Sequence, residues 1–166
     1  MLIPAILKRD ELKVAFAKKF YADELIFLTT GLQSWIPSIK DEPEAGHYQY
    51  AIVTNDSMQK LVGYLDYRID WYSSCASRFG LISFDNGNTL IGLALRETMK
   101  KLLNEYKLHR IEWRMIGGNP VKRHYDKFCE KYHGVKHVLR DAFKDKYGIY
   151  HADYIYEIIQ NVTGKK

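Results

Sequence analysis

The stretch "RFGLISFDNGNTLIGLALRETMKKLLNEY", residues 78–106, changes its hydrophobic period partway along. Its opening, "RFGLISF" (78–84), is short and apolar, as expected of a strand near a sheet centre. Its close, "IGLALRETMKKLLNEY" (91–106), repeats at helical spacing. There Ile91, Leu95, Met99, Leu102, Leu103 and Tyr106 form one stripe, and Arg96, Glu97, Lys100, Lys101 and Glu105 form the opposite face. A buried strand delivered directly into an amphipathic helix predicts a mixed α/β domain. The connection "SFDNGNTLIG" (83–92) carries a glycine, two asparagines and a threonine before the helix. The first amides of a helix lack internal partners and lie at the positive end of its dipole, so this junction suits a phosphate group. A plain capped turn is the alternative. Neither GxxxxGK[ST] nor GxGxxG occurs here, so the P-loop and the dinucleotide fingerprint do not apply.

Upstream, "LIPAIL" (2–7) reads as a strand. "RDELKVAFAKKFY" (9–21) reads as a helix with Leu12, Phe16 and Phe20 at four-residue spacing and Asp10 capping its first turn. A second short helix is predicted through "DELIFLTT" (23–30), closed by Gly31. Residues 33–47, with two prolines and Trp35, form a loop that either lies on the surface or serves as a lid. Strands follow at "YQYAIVT" (48–54) and "KLVGYLDYRIDWY" (60–72). In the latter Leu61, Gly63, Leu65, Tyr67, Ile69 and Trp71 alternate with Val62, Tyr64, Asp66, Arg68, Asp70 and Tyr72, a period of two.

Downstream, "RIEWRMI" (110–116) is a strand, and "GGNPVKRHYDKFCEKYHG" (117–134) a second loop-to-helix junction. Asn119 is placed as N-cap, Pro120 at the first helical position, and Gly134 as the stop. Val121, Tyr125, Phe128, Cys129 and Tyr132 share one face. Two strands, "VKHVLRDAF" and "IYHADYIYEII", close the chain as a hairpin through "KDKYG". The predicted order is βααβββαβαββ, one α/β domain with a single mixed sheet spanning 1–166.

At 166 residues, 46% hydrophobic and 27% charged, the chain has the composition of an ordinary globular protein. Two cysteines without ligand spacing argue against a disulfide scaffold and structural zinc, and fit a reducing cytoplasm. No metal site is expected. No apolar run is long enough for a signal peptide or membrane span. The net charge of +5 favours anionic partners. Acids are mixed with the bases throughout, which argues against nucleic acid.

The order of these elements, with its paired loop–helix junctions, resembles the GNAT superfamily of acetyl-coenzyme A-dependent acyltransferases. That family has a Q/R-x-x-G-x-G/A loop before one helix; here Gly92 matches its last position, while Gly87 and Leu90 depart from it. The family also has an asparagine opening the next helix with a tyrosine two turns on, matched by Asn119 and Tyr125 at a spacing of six rather than seven. The segment "DKYGIYHADYIYEI" is similar to its closing hairpin. The resemblance covers about residues 48–160.

It implies an N-acetyltransferase that takes acetyl-CoA as cosubstrate and an unidentified amine as acceptor. Tyr125 would be the general acid for the departing thiolate, since a tyrosine near pKa 10 keeps its proton at neutral pH. Main-chain groups of Ile82, Ser83 and Phe84 would pair with the pantetheine arm, which Asn119 would also contact. Amides of Asn88, Thr89, Leu90, Ile91 and Gly92 would meet the pyrophosphate, with Lys122 or Arg123 on phosphate oxygens. The base is left open among Asp66, Asp70, Asp85 and Glu112, or an ordered water. His151 and Asp153 share a side of the last strand and admit a dyad. Two alternatives stand: a non-catalytic acyl-CoA-binding member of the fold, and a basic nucleic-acid-binding module. The oligomeric state is open, a homodimer included.

Overall fold

The computed structural model describes residues 1–22 and 36–160. The predicted helix 23–30, its closing Gly31 and Trp35 lie outside the described residues. Strand β1 (Leu2–Pro4) leads through a 3-10 turn (Ala5–Lys8) into α1 (Arg9–Ala22). Then come β2 (His47–Val53), β3 (Leu61–Asp70), β4 (Cys75–Ser83) and α2 (Thr89–Asn104). The chain continues with β5 (Arg110–Ile116), α3 (Lys122–Lys131), β6 (Val135–Lys144) and β7 (Tyr150–Ile159). Among the described residues these make three helices and one seven-stranded sheet, ordered β1-β2-β3-β4-β5-β7-β6. The mixed α/β architecture expected from the sequence is present.

Several boundaries move for local reasons. The predicted first strand stops at Pro4, and Ala5–Lys8 winds directly into α1, so Asp10 stands inside the first helical turn rather than at its cap. An acid there still suits the positive end of the helix. Strand β4 begins at Cys75, three residues before the expected start. Tyr106 falls beyond α2 and stacks at a tilt against Trp71. Helix α3 begins at Lys122, not at Pro120. The left-handed residue at its end is His133 (φ 54°), not Gly134. Gly134 answers a packing demand instead: a Cβ there would stand 2.5 Å from the Glu157 carbonyl oxygen and 2.8 Å from Cys129 Sγ.

Apolar side chains fill both faces of the sheet. On one, Leu95, Met99, Leu102 and Leu103 of α2 pack on Leu65, Tyr67, Ile111 and Trp113, joined by Tyr125 and Cys129 of α3. On the other, Leu12 and Phe16 of α1 cover Ala51, Val53, Tyr64 and Ile82. Every pairing is antiparallel except β4 with β5, which is parallel and limited to Cys75–Arg110 and Ala76–Ile111. Beyond Ala76, β4 stays with β3 while β5 stays with β7, so the two central strands part. A bulge marks the spot. Asp66 pairs with Gly80 and Arg68 with Ser77, leaving Arg78 (φ 55°) and Phe79 opposite Tyr67 alone. An extra residue bends a strand and increases its twist, which carries β4 away from its neighbour.

Candidate active site

The divergence leaves the β5-facing edge of β4 without a strand partner from Ser77 to Ser83. Ile82 is buried against the α1 side and pairs with Tyr64, Ser83 pairs with Gly63, and the Phe84 amide donates to the Val62 carbonyl (2.9 Å). These residues are held by β3 on one side and offer main-chain groups to the gap on the other. That is the edge an extended chain can pair with.

At the end of β4 the turn is tied down internally. Gly87 takes a left-handed φ of 85°. The Asn88 amide donates to Asp85 O, the Asn88 Oδ1 accepts from the Leu90 amide (3.0 Å), and the Ile91 amide donates to Asn88 O. Asn88 is therefore a true N-cap of α2, and three of the amides expected at a pyrophosphate already have partners. Leu90 and Ile91 direct their side chains to the core, and Thr89 and Gly92 are exposed. A Cβ on Gly92 would meet no atom within 4 Å, so nothing in the fold crowds this junction.

At the end of β5 the second junction repeats the arrangement. Asn119 Oδ1 accepts from the Val121 amide (3.0 Å), and its carbonyl accepts from Lys122 N. Its side-chain amino group takes no partner among the described residues. Tyr125 lies one turn into α3, only 9% exposed, edge-on to Trp113 (6.0 Å) and Tyr156 (5.8 Å). Its hydroxyl forms no hydrogen bond among the described residues. Burial raises that hydroxyl well above the ordinary 10, so the proton stays on oxygen. Lys122 turns elsewhere. Its Nζ donates to Asp126 Oδ2 (2.6 Å), while Asp126 Oδ1 accepts from Lys136 (2.9 Å) and the Tyr156 hydroxyl (2.9 Å). The Lys122 hydrogen bond is the chief cause holding the Asp126 carboxyl down at about 2.

The open carboxylates separate by geometry. Asp70 accepts from Tyr72 N and Ser73 Oγ at the β3–β4 turn, and exposed Asp85 accepts from Asn88 Nδ2. Glu112 pairs with Arg110 (2.8 Å). Asp66 meets His47 Nε2 (3.1 Å). His151 and Asp153 form no dyad: His151 Nε2 bonds Asp145 (2.9 Å), while buried Asp153 pairs with Arg114. Cys129 is buried in the core cluster. The His47–Asp66 and Arg114–Asp153 pairs have no linear motif. Each joins adjacent strands through register, and the alternation of the strands was the only sequence signal for them.

No family model matches the sequence, and a search of curated proteins returns no match. Solved structures do match in shape. Spermidine N-acetyltransferase SpeG from Vibrio cholerae aligns with a TM-score of 0.52 at 18% identity, over 69% of this chain and 65% of that one, a little under two thirds of its length. Another structure of that enzyme, described as a spermidine/spermine N-acetyltransferase, gives 0.54 at 19% identity over 70% and 69%. One described as a probable acetyltransferase gives 0.53 at 18% over 69% and 63%. SpeG is also described in complex with manganese ions. In the present chain no group of three or more His, Cys, Asp or Glu is placed to hold a metal among the described residues. No helix among them is long and apolar enough to cross a membrane. At these identities the likeness to these acetyltransferase structures is one of fold.

Proposed function

We propose that the protein transfers an acetyl group from acetyl-CoA to an amine by direct attack, with Tyr125 as the general acid. The observation that carries this reading is the parting of β4 from β5, together with a buried tyrosine on α3 that packs on Trp113 of β5 and whose hydroxyl makes no hydrogen bond among the described residues. Acetyl-CoA, when bound, supplies the acyl thioester. The unpaired edge at Ile82, Ser83 and Phe84 would hold an extended arm by main-chain hydrogen bonds. Asn119 offers its free amino group to the same arm. The α2 N-terminus, at Asn88 to Gly92, would take the anionic phosphates, the Asn88 cap yielding to them. In this reading Lys122 reaches phosphate only by releasing Asp126.

The proton balance is simple. The amine nitrogen attacks the carbonyl carbon, the C–N bond forms and the C–S bond breaks. The sulfur leaves with the electron pair and takes the Tyr125 proton, and the amine's surplus proton passes to solvent. Both cysteines are free thiols, which agrees with a cytoplasmic setting. Calorimetry with acetyl-CoA tests the binding step, and thiol release with polyamines, aminoglycosides, amino acids and peptides tests transfer. Saturable binding and acceptor-dependent thiol release are expected; no heat at millimolar acetyl-CoA would sink the reading. Binding without release on any acceptor would favour a non-catalytic role.

A further inference from the structure

The positive charge of the chain is gathered on one surface. Residues 121–146 carry eight Lys and Arg against four Asp and Glu, a net +4 of the chain's +5. They make up α3, β6 and the turns that border them. The two elements lie together, since Asp126 of α3 holds Lys136 of β6 at 2.9 Å. Two of the four acids are occupied within the fold, Asp126 by Lys122 and Lys136 and Asp145 by His151. Arg123 and Lys127 on α3 and Arg140 on β6 are exposed and have no acidic partner among the described residues.

The same surface ends in an open sheet edge. β6 is the last strand in the order β1-β2-β3-β4-β5-β7-β6, and among the described residues it pairs only with β7. Its residues from Val135 to Leu139 are all exposed. Val135, Val138 and Leu139 are so at 51%, 46% and 47%, although each is apolar. The register puts Lys136 and Val138 on the α3 face, beside Tyr156 and Tyr154, and Val135, His137 and Leu139 on the other. A bulge follows, where Asp141 takes a left-handed φ of 52°, and it ends the regular edge. An unpaired edge with exposed apolar side chains is a template for another strand.

Charge decides the occupant. A second copy of β6 would bring one net-positive surface against another, which like charges oppose. An acidic chain meets the opposite situation. Its main chain completes the ladder, its acids on the α3 side face the exposed cations, and its apolar residues on the other side cover Val135 and Leu139. Nucleic acid would use the charge but leave the main-chain edge and the aliphatic side chains unmatched.

We propose that β6 receives an extended segment of a partner protein, alternating acidic with apolar residues, as an eighth strand of the sheet. Such docking is independent of acetyl transfer, and no covalent bond is made or broken in it.

The probe is a fluorescein-labelled peptide alternating Glu and Val, titrated with the full chain and followed by anisotropy, with hydrogen exchange of the β6 amides as the readout of place. Saturable binding is expected, with new protection confined to 135–140. A peptide alternating Lys and Val reverses the charges, and an N-methylated Glu/Val peptide loses main-chain donors, so each binds at least roughly tenfold more weakly. Arg140→Glu, at an exposed position, weakens the Glu/Val peptide by roughly two- to fivefold and leaves the melting temperature unchanged. Equal binding of the Glu/Val and Lys/Val peptides, protection away from β6, or no anisotropy change at millimolar protein would overturn the docking. Tighter binding of oligothymidylate than of the Glu/Val peptide would overturn it in favour of a nucleic-acid surface. Protection of β6 that rises with protein concentration without peptide would overturn it in favour of a second copy. Thiol release from acetyl-CoA reads transfer separately, so either idea can fail while the other stands.

Discussion

Replacing Tyr125 by phenylalanine separates chemistry from packing at one atom. The ring stays in its edge-on contacts with Trp113 (6.0 Å) and Tyr156 (5.8 Å). The lost hydroxyl makes no hydrogen bond among the described residues, so the ~1 kcal/mol typical of a broken hydrogen bond is not at stake. The melting temperature should move by less than about 2 °C. Tyr125→Ala, by contrast, removes the ring and should cost about 3–5 kcal/mol, the range for large aromatic truncations. General acid catalysis typically contributes 10²–10⁴-fold, so Tyr125→Phe should lower turnover by roughly 100-fold or more, about 2.7 kcal/mol of barrier. Affinity for acetyl-CoA should hold. Melting, calorimetry and single-turnover kinetics on the same preparation give the three readouts. Unchanged turnover where chemistry limits the rate would remove Tyr125 from catalysis. A large fall in melting temperature would show that the hydroxyl is bonded in solution, against the geometry described above.

Three further outcomes follow from particular contacts. Gly134→Ala places a Cβ 2.5 Å from a backbone oxygen that cannot give way, and should cost about 1–3 kcal/mol, read as a melting temperature lower by roughly 2–4 °C per kcal/mol; an unchanged melt refutes it. Asn88→Ala deletes the α2 cap and should cost about 1 kcal/mol. Because it also frees the Leu90 amide, acetyl-CoA affinity should hold or rise, and a strong loss would mean that the Asn88 side chain itself contacts the ligand. Acid stability should fall in a defined window. Asp126 and Glu44 are both lowered to about 2, from 3.8 and 4.5, chiefly by hydrogen bonds from Lys122 and Arg68. Their contribution is present above the unfolded values and is lost as pH falls through the folded ones, between about pH 4.5 and 2. Asp126→Asn should flatten urea-measured stability across that window; a slope equal to wild type counts against the network.

Local pattern was sufficient where a single element answers to its own periodicity. The α2 stripe holds from Ile91 to Leu103 because one helix face meets one sheet face. The alternation along β3 holds from Tyr64 onward, where Leu65, Tyr67 and Ile69 meet α2 while Tyr64 meets α1; before it, beside the register shift at Ile52 and Val53, Val62 joins the α2-side cluster and Leu61 packs on the α1-side one. Failures came where the same local chemistry serves two geometries. Asn119 accepts from Val121 two residues on, as an N-cap would, yet closes a turn that precedes the helix. The small polar run before Arg78 reads as loop, but Cys75 and Ala76 are the residues that join β4 to β5. At the candidate site, Tyr125 and the two junctions were legible in order. The internal satisfaction of the Asn88 turn and the commitment of Lys122 to Asp126 were not, since both are choices among competing hydrogen bonds.

By itself the sequence determined, for most elements among the described residues, which segments are helix or strand and which of their faces are apolar, because these follow from spacing along the chain. The tertiary structure alone decided where the sheet opens, since that depends on one bulge in β4 and on how few residues it shares with β5. It alone set His47 against Asp66, and Arg114 against Asp153, because register across strands is fixed by the whole packed sheet and not by any stretch of residues.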